Sequence, residues 1–164
     1  MGTLKSGLLF LLLVIVLFHV NGCTAKETIR ADSIDLPLFD TISGEYPVSE
    51  LGRLPPGQQD TTVGYIGDTE TFIPVWRAFM PNEILPEVDF SNKIIVFSRN
   101  TQFYNRTIIF KVTLSDGVAE IFAMETMSAI PIDDKVAMAM AVIPREGVTA
   151  IKGGAVAIKV KPYQ

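Results

Sequence analysis

Side chains able to do chemistry are few in this 164-residue chain. The only histidine is His19, and the only thiol is Cys23, both beside an apolar N-terminal run. From residue 24 onward there is no imidazole to act as a general base near neutral pH. Ser-His-Asp and Cys-His nucleophile systems are therefore excluded there, as are zinc sites built from Cys and His. No GxxxxGK[ST] or GxGxxG phosphate cradle is present. Two acidic pairs remain, Asp133 with Asp134 and Glu87 with Asp89. Either could lend oxygen ligands to Ca²⁺, but no EF-hand spacing surrounds them and ordinary turn solvation accounts for both. The expectation is a chain with no catalytic residue, no metal and no cofactor. Carboxylate chemistry is the enzymatic alternative.

Residues 99–106 offer a different kind of chemistry. Phe103 and Tyr104 stand between Arg99 and Arg106, in a stretch joining two expected strands. Aromatic and Arg side chains concentrate at the energetic centres of protein interfaces. Arg99, Phe103, Tyr104 and Arg106 are therefore the candidate partner-binding residues. The alternative is a connecting loop whose Phe103 enters the core while its arginines are solvated. Charge argues against other partners. There are 14 basic and 18 acidic residues, a net charge of −4, and no basic cluster. Nucleic acid and anionic membrane surfaces both require concentrated Lys and Arg.

The scaffold for such a surface reads as a single β-rich α+β domain over residues 35–163. Apolar periodicity predicts one helix at about residues 70–80, with Phe72, Val75, Trp76 and Phe79 on one face. Thr69 or Thr71 would cap it, Pro74 would fall in its first turn and Pro81 would end it. Leu36, Leu38 and Phe39 begin a first strand. Residues 44–60, rich in Pro and Gly, read as a loop. Residues 61–66 and 93–98 are runs of strand length. Residues 107–114 alternate, which places Ile108, Phe110, Val112 and Leu114 together on the core face. Asp116-Gly117 signals a two-residue type I′ hairpin. Pairing Ser115 with Val118 then sets Ala119, Ile121 and Ala123 beside the apolar row. Residues 136–142 alternate Met or Val with Ala and read as a strand. Gly153-Gly154 joins two last strands, with Ile151, Val156, Ile158 and Val160 on one face. The expected architecture is an antiparallel sheet of hairpins packed on the one helix.

The N-terminus carries an address. Lys5 precedes the uncharged residues 7–18, too few for a bilayer span, which needs ~20 apolar residues. Val20-Asn21-Gly22-Cys23 closes this run and resembles a bacterial lipoprotein signal with its lipobox. Asn21 departs from that pattern, since a small residue such as Ala or Ser is usual there. The resemblance implies a signal peptide over residues 1–22, lipid on Cys23 and a tether over residues 23–34. An ordinary cleaved signal is the alternative. At about 0.8 kcal/mol per buried methylene, two or three acyl chains would hold the protein on a membrane essentially permanently. Thr24, where an Asp commonly retains lipoproteins in the inner membrane, implies the outer membrane facing the periplasm in a Gram-negative host. With Cys23 lipidated, no disulfide can form within the chain.

Residues from about 61 onward resemble the C-terminal domain of PrcB-type protease-complex lipoproteins. The resemblance rests on Trp76 in its helix, on Leu85-Pro86-Glu87-Val88-Asp89-Phe90-Ser91, and on the strand at residues 93–97. Family members tend to carry a glycine-rich stretch where this chain has residues 99–106. The resemblance implies a non-catalytic domain that stabilises or escorts an extracytoplasmic protease. The sequence therefore reads as a lipid-anchored binding or assembly module of the cell envelope, with an envelope protein as partner. A carboxylate enzyme and a protease inhibitor are the alternatives.

Overall fold

Side chains alternate across a β-strand, so a strand of unequal faces can divide two cores. Strand β7 (Lys135–Pro144) does this. Val136, Met138, Met140 and Val142 face one core, and Ala137, Ala139, Ala141 and Ile143 are buried on the other side. The computed structural model describes residues 32–100, 104–127 and 132–163. In it β7 lies within a four-stranded sheet of order β2-β7-β4-β3, where β2 is Thr41–Pro47, β3 is Val63–Ile66 and β4 is Lys93–Asn100. Helix α1 (Thr69–Phe79) covers the large-residue face with Phe72, Val75, Trp76 and Phe79. A second, five-stranded sheet covers the alanine face, where short side chains admit close packing. Its order is β1 (Ile34–Asp35), β5 (Tyr104–Ser115), β6 (Val118–Met127), β8 (Ala150–Gly153) and β9 (Val156–Lys159). The layers are thus helix, sheet, sheet.

The domain is α+β and strand-rich, and its described pairings are antiparallel except β6 with β8. The strands divide between two sheets rather than forming one. Residues 44–60, expected as a loop, contain the end of β2 and a 3₁₀ turn at Val48–Arg53. Gly44 is small because the helix end lies over it, and a Cβ there would meet Met80 Cε at 2.6 Å. Leu36, Leu38 and Phe39 are not a strand. They carry the chain from one sheet to the other, with Leu36 N–H bonded to Val112 O (2.8 Å) and Phe39 N–H to Val142 O (3.0 Å). Asp68, not Thr69 or Thr71, caps α1 by accepting from Thr71 N–H at 2.7 Å. Pro74 lies beyond the first turn, so the Glu70 carbonyl loses its usual helical donor.

The Asp116-Gly117 turn forms as expected, with φ of 51° and 79° and Ser115 opposite Val118. The last hairpin turns one residue later than expected, at residues 154–155, with Gly153 opposite Val156. Gly153 stays in β8 because that strand passes β3, where an added Cβ would lie 2.3 Å from Val63 Cγ1. The faces are unaffected, and Ile151, Val156, Ile158 and Val160 still pack together.

Candidate functional site

Strand pairing decides the fate of the four candidate partner residues. β4 runs on through Arg99 and Asn100, and β5 begins at Tyr104, so most of the expected loop is sheet. Arg99 continues the inward row of Ile95 and Phe97 and is 1% exposed. Its Nε donates to Thr61 O at 2.9 Å, and its Nη2 donates to Thr61 O at 2.6 Å and to the Gln59 carbonyl. Burial holds the guanidinium pKa below its ordinary value. A cation so enclosed cannot meet a partner, and Arg99 is corrected from a surface residue to a clamp on the segment before β3. Arg106 is exposed, opposite Thr126. Phe103, the Tyr104 side chain and Cys23 lie outside the described residues.

The outer face of β5–β6 supplies what the expected loop does not. β5 bulges between Ile109 and Lys111, so Phe110 has no residue opposite it. The extra residue reverses the alternation. Ile109 and Val112 both point inward, at 2% and 0% exposure, while Phe110 is turned out to 60%. This corrects the expectation that Phe110 and Ile108 share the core face with Val112. Phe110 meets Phe122 across the strands, with ring centroids 6.5 Å apart. Next along the face come Ile108 opposite Met124, then Arg106 opposite Thr126. Met124 is 54% exposed. Toward the hairpin turn the same face is charged, with Lys111 paired to Asp35 at 2.9 Å and Glu120 to Lys152 at 3.0 Å. The hairpin therefore presents an apolar half flanked by Arg106 and a half of ion pairs. Phe122 and Met124 were readable as outward, since Ala119, Ile121 and Ala123 take the inner positions. Phe110 was not, because nothing local marks the bulge.

Of the two acidic pairs, the Asp89 carboxylate has a structural role, and Asp134 contributes through its backbone. Asp89 accepts from Ser91 N–H (3.0 Å), Ser91 Oγ (2.6 Å) and Asn92 Nδ2 (2.8 Å), and the Ser91 bonds hold its pKa below the usual carboxylate value. Asp134 lends its backbone carbonyl to Val48 N–H at 2.9 Å. Among the described residues, no three His, Cys, Asp or Glu side chains gather into a group that could hold a metal ion. Glu125 accepts from Asn100 Nδ2, and burial raises its pKa more than that bond lowers it.

A cleft of about 190 Å³ lies between α1 and the first sheet, walled by Phe72, Trp76, Ile95 and Met140 with Asp40 and Pro86 also lining it. Trp76 is 7% exposed, and its buried indole N–H has no acceptor among the described groups. The aromatic stripe of α1 is thus core, with Phe72 and Phe90 edge to face at 5.8 Å. Comparison with protein-family models, with curated proteins and with solved structures returns no match to this chain.

Proposed function

We propose that the chain is an extracytoplasmic binding or assembly module, held on a membrane by lipid on Cys23, that engages an envelope protein through the outer face of β5–β6. The observation that carries the reading is Phe110, turned out to 60% exposure against Phe122 on paired strands. Exposed apolar surface costs free energy in water, and contiguous patches on soluble faces mark sites of association. Aromatics beside an arginine suit a protein partner, because they bury large rigid area and add a charge-assisted donor. A protease is one such partner, as the resemblance to PrcB-type domains implies. The membrane anchor rests on the lipobox resemblance at Cys23.

Two measurements test this reading. Phe110→Ser and Arg106→Glu should each weaken recovery of the partner from intact envelopes by more than ~1 kcal/mol, about fivefold, with the urea midpoint nearly unchanged. Normal recovery in both variants places the interaction surface elsewhere. Labelling with a palmitate analogue should disappear in Cys23→Ala, and a mature N-terminus at Cys23 with no acyl mass overturns the anchor.

A further inference from the structure

A strand edge presents unpaired N–H and C=O groups that will pair with another strand unless something blunts them. Most edges here are blunted. At β3, Gln58 Oε1 accepts from Tyr65 N–H at 2.8 Å and occupies the edge with a side chain. β9 carries Lys159, with Lys161 just beyond it. β2 ends in Pro47, and its Glu45 is paired with Lys135 at 2.6 Å. The open side of β5 is broken by irregularities between Tyr104 and Arg106 and between Ile109 and Lys111.

β6 is the exception. On its far side β8 pairs with Val118, Ala119 and Glu120 only. Residues 122–127 have no described strand on that side, and residues 124–127 are all exposed. Met127 is 73% exposed and Met124 54%. No proline or lysine interrupts this stretch, and Glu125 is its one ionisable residue.

We propose that this free edge of β6 pairs antiparallel with the same edge of a second copy of the chain, joining the two five-stranded sheets across a two-fold axis. Any edge is complementary to itself in this arrangement, because residue i faces j and j faces i. Charge and length together select the register. An axis at Glu125 would set two carboxylates against each other. An axis at Ala123 or at Thr126 keeps them apart but pairs only three residues of the free stretch, 122–124 or 125–127. An axis at Met124 pairs residues 122–126 and sets Met124 against Met124, Phe122 against Thr126 and Ala123 against Glu125, so no like charges meet. In a chain of net charge −4, that register lets a second copy pair along this edge with no two carboxylates opposite one another. The pairing uses the backbone edge of β6, while the Phe122 and Met124 side chains also lie on the outer face of β5–β6. Recovery by opposite charges at position 124 separates the two roles, because a different protein bound to that face would not be restored by pairing Lys with Glu.

The test uses two differently tagged full-length copies co-expressed and purified in mild detergent. Wild-type copies should co-purify. Met124→Lys, paired with itself, should lose at least about tenfold in co-purification, because like charges then meet at the axis. Met124→Lys with Met124→Glu should recover it. Sharing of one micelle cannot produce this pattern, since it does not depend on the sign of the charge at position 124. Unchanged thermal unfolding of each variant shows that the fold is intact. The proposal is overturned if wild-type copies do not co-purify, if Met124→Lys co-purifies like wild type, or if the Lys and Glu variants fail to restore one another.

Discussion

Replacing Arg99 tests whether it is a clamp or a contact residue. Two backbone carbonyls, of Gln59 and Thr61, depend on this one guanidinium. Hydrogen bonds to charged groups contribute about 1.5–3 kcal/mol each in mutational series, so two satisfied carbonyls represent about 3–6 kcal/mol. The cost of burying the cation opposes this, as its lowered pKa records, and leaves a net loss of about 3 kcal/mol for Arg99→Met. Methionine keeps the apolar stem and removes the donors, which isolates the hydrogen bonds from packing. With a urea m-value of about 1.5–2 kcal/mol/M for a domain of this size, the midpoint should fall by about 1.5–2 M. Arg99→Lys should fall between, since one ammonium cannot reproduce the fork. Partner recovery should follow the folded fraction and nothing else. An Arg99→Met midpoint within ~0.5 kcal/mol of wild type refutes the clamp. Loss of partner at unchanged stability would return Arg99 to the interface.

Trp76→Ala should cost about 3–5 kcal/mol in urea unfolding, as core aromatic truncations do. Native tryptophan fluorescence that is red and readily quenched would contradict its burial at 7% exposure. Ala139→Leu should destabilise by about 1–3 kcal/mol through overpacking between the sheets, whereas Met140→Leu on the helix side should cost less than about 1.5 kcal/mol. Equal effects would mean the two faces of β7 are packed alike. Tyr46 is fully buried and donates to Glu50 O at 3.0 Å. Burial and then the Glu50 charge push its hydroxyl pKa from 10.0 to about 12. A raised pKa gives stability that is intact below the unfolded value and is lost as pH climbs through the folded one. The urea midpoint should therefore drop between pH 10 and 12 more steeply in wild type than in Tyr46→Phe. Equal slopes, or Tyr46 phenolate absorbance near pH 10 in the folded protein, would count against this.

What could be read from the chain was whatever depends on near neighbours. The Met/Ala alternation of β7, the aromatic stripe of α1 and the Asp116-Gly117 turn are local patterns, and each formed. The four consecutive apolar residues Ile94, Ile95, Val96 and Phe97 also held more than a strand. All four are buried, because β4 is covered by the helix on one side and a sheet on the other. A continuous run of that kind signals burial on both faces, and taken so it argues for two sheets rather than one. β2 was hidden by Gly44, which looks like a turn residue until the helix end lies over it. The bulge at Phe110 was hidden because Ile108, Ile109 and Phe110 are all apolar, so either alternation satisfies the pattern.

The two arginines of the candidate surface show where local reading ends. Arg99 and Arg106 flank the same short segment and are chemically identical, yet one is enclosed and the other exposed. The difference lies in partners far along the chain. Arg99 faces carbonyls 38 and 40 residues earlier, brought to it when β3 pairs with β4. Arg106 lies beside an apolar row whose members are set by a bulge and by β6 pairing. A charged side chain is placed by whichever acceptors the sheet register delivers, because burying it unpaired costs several kcal/mol. Residue type therefore names a candidate contact, and register decides which candidate reaches solvent. By that argument the surface to test is Phe110, Phe122 and Arg106 rather than the segment around Arg99.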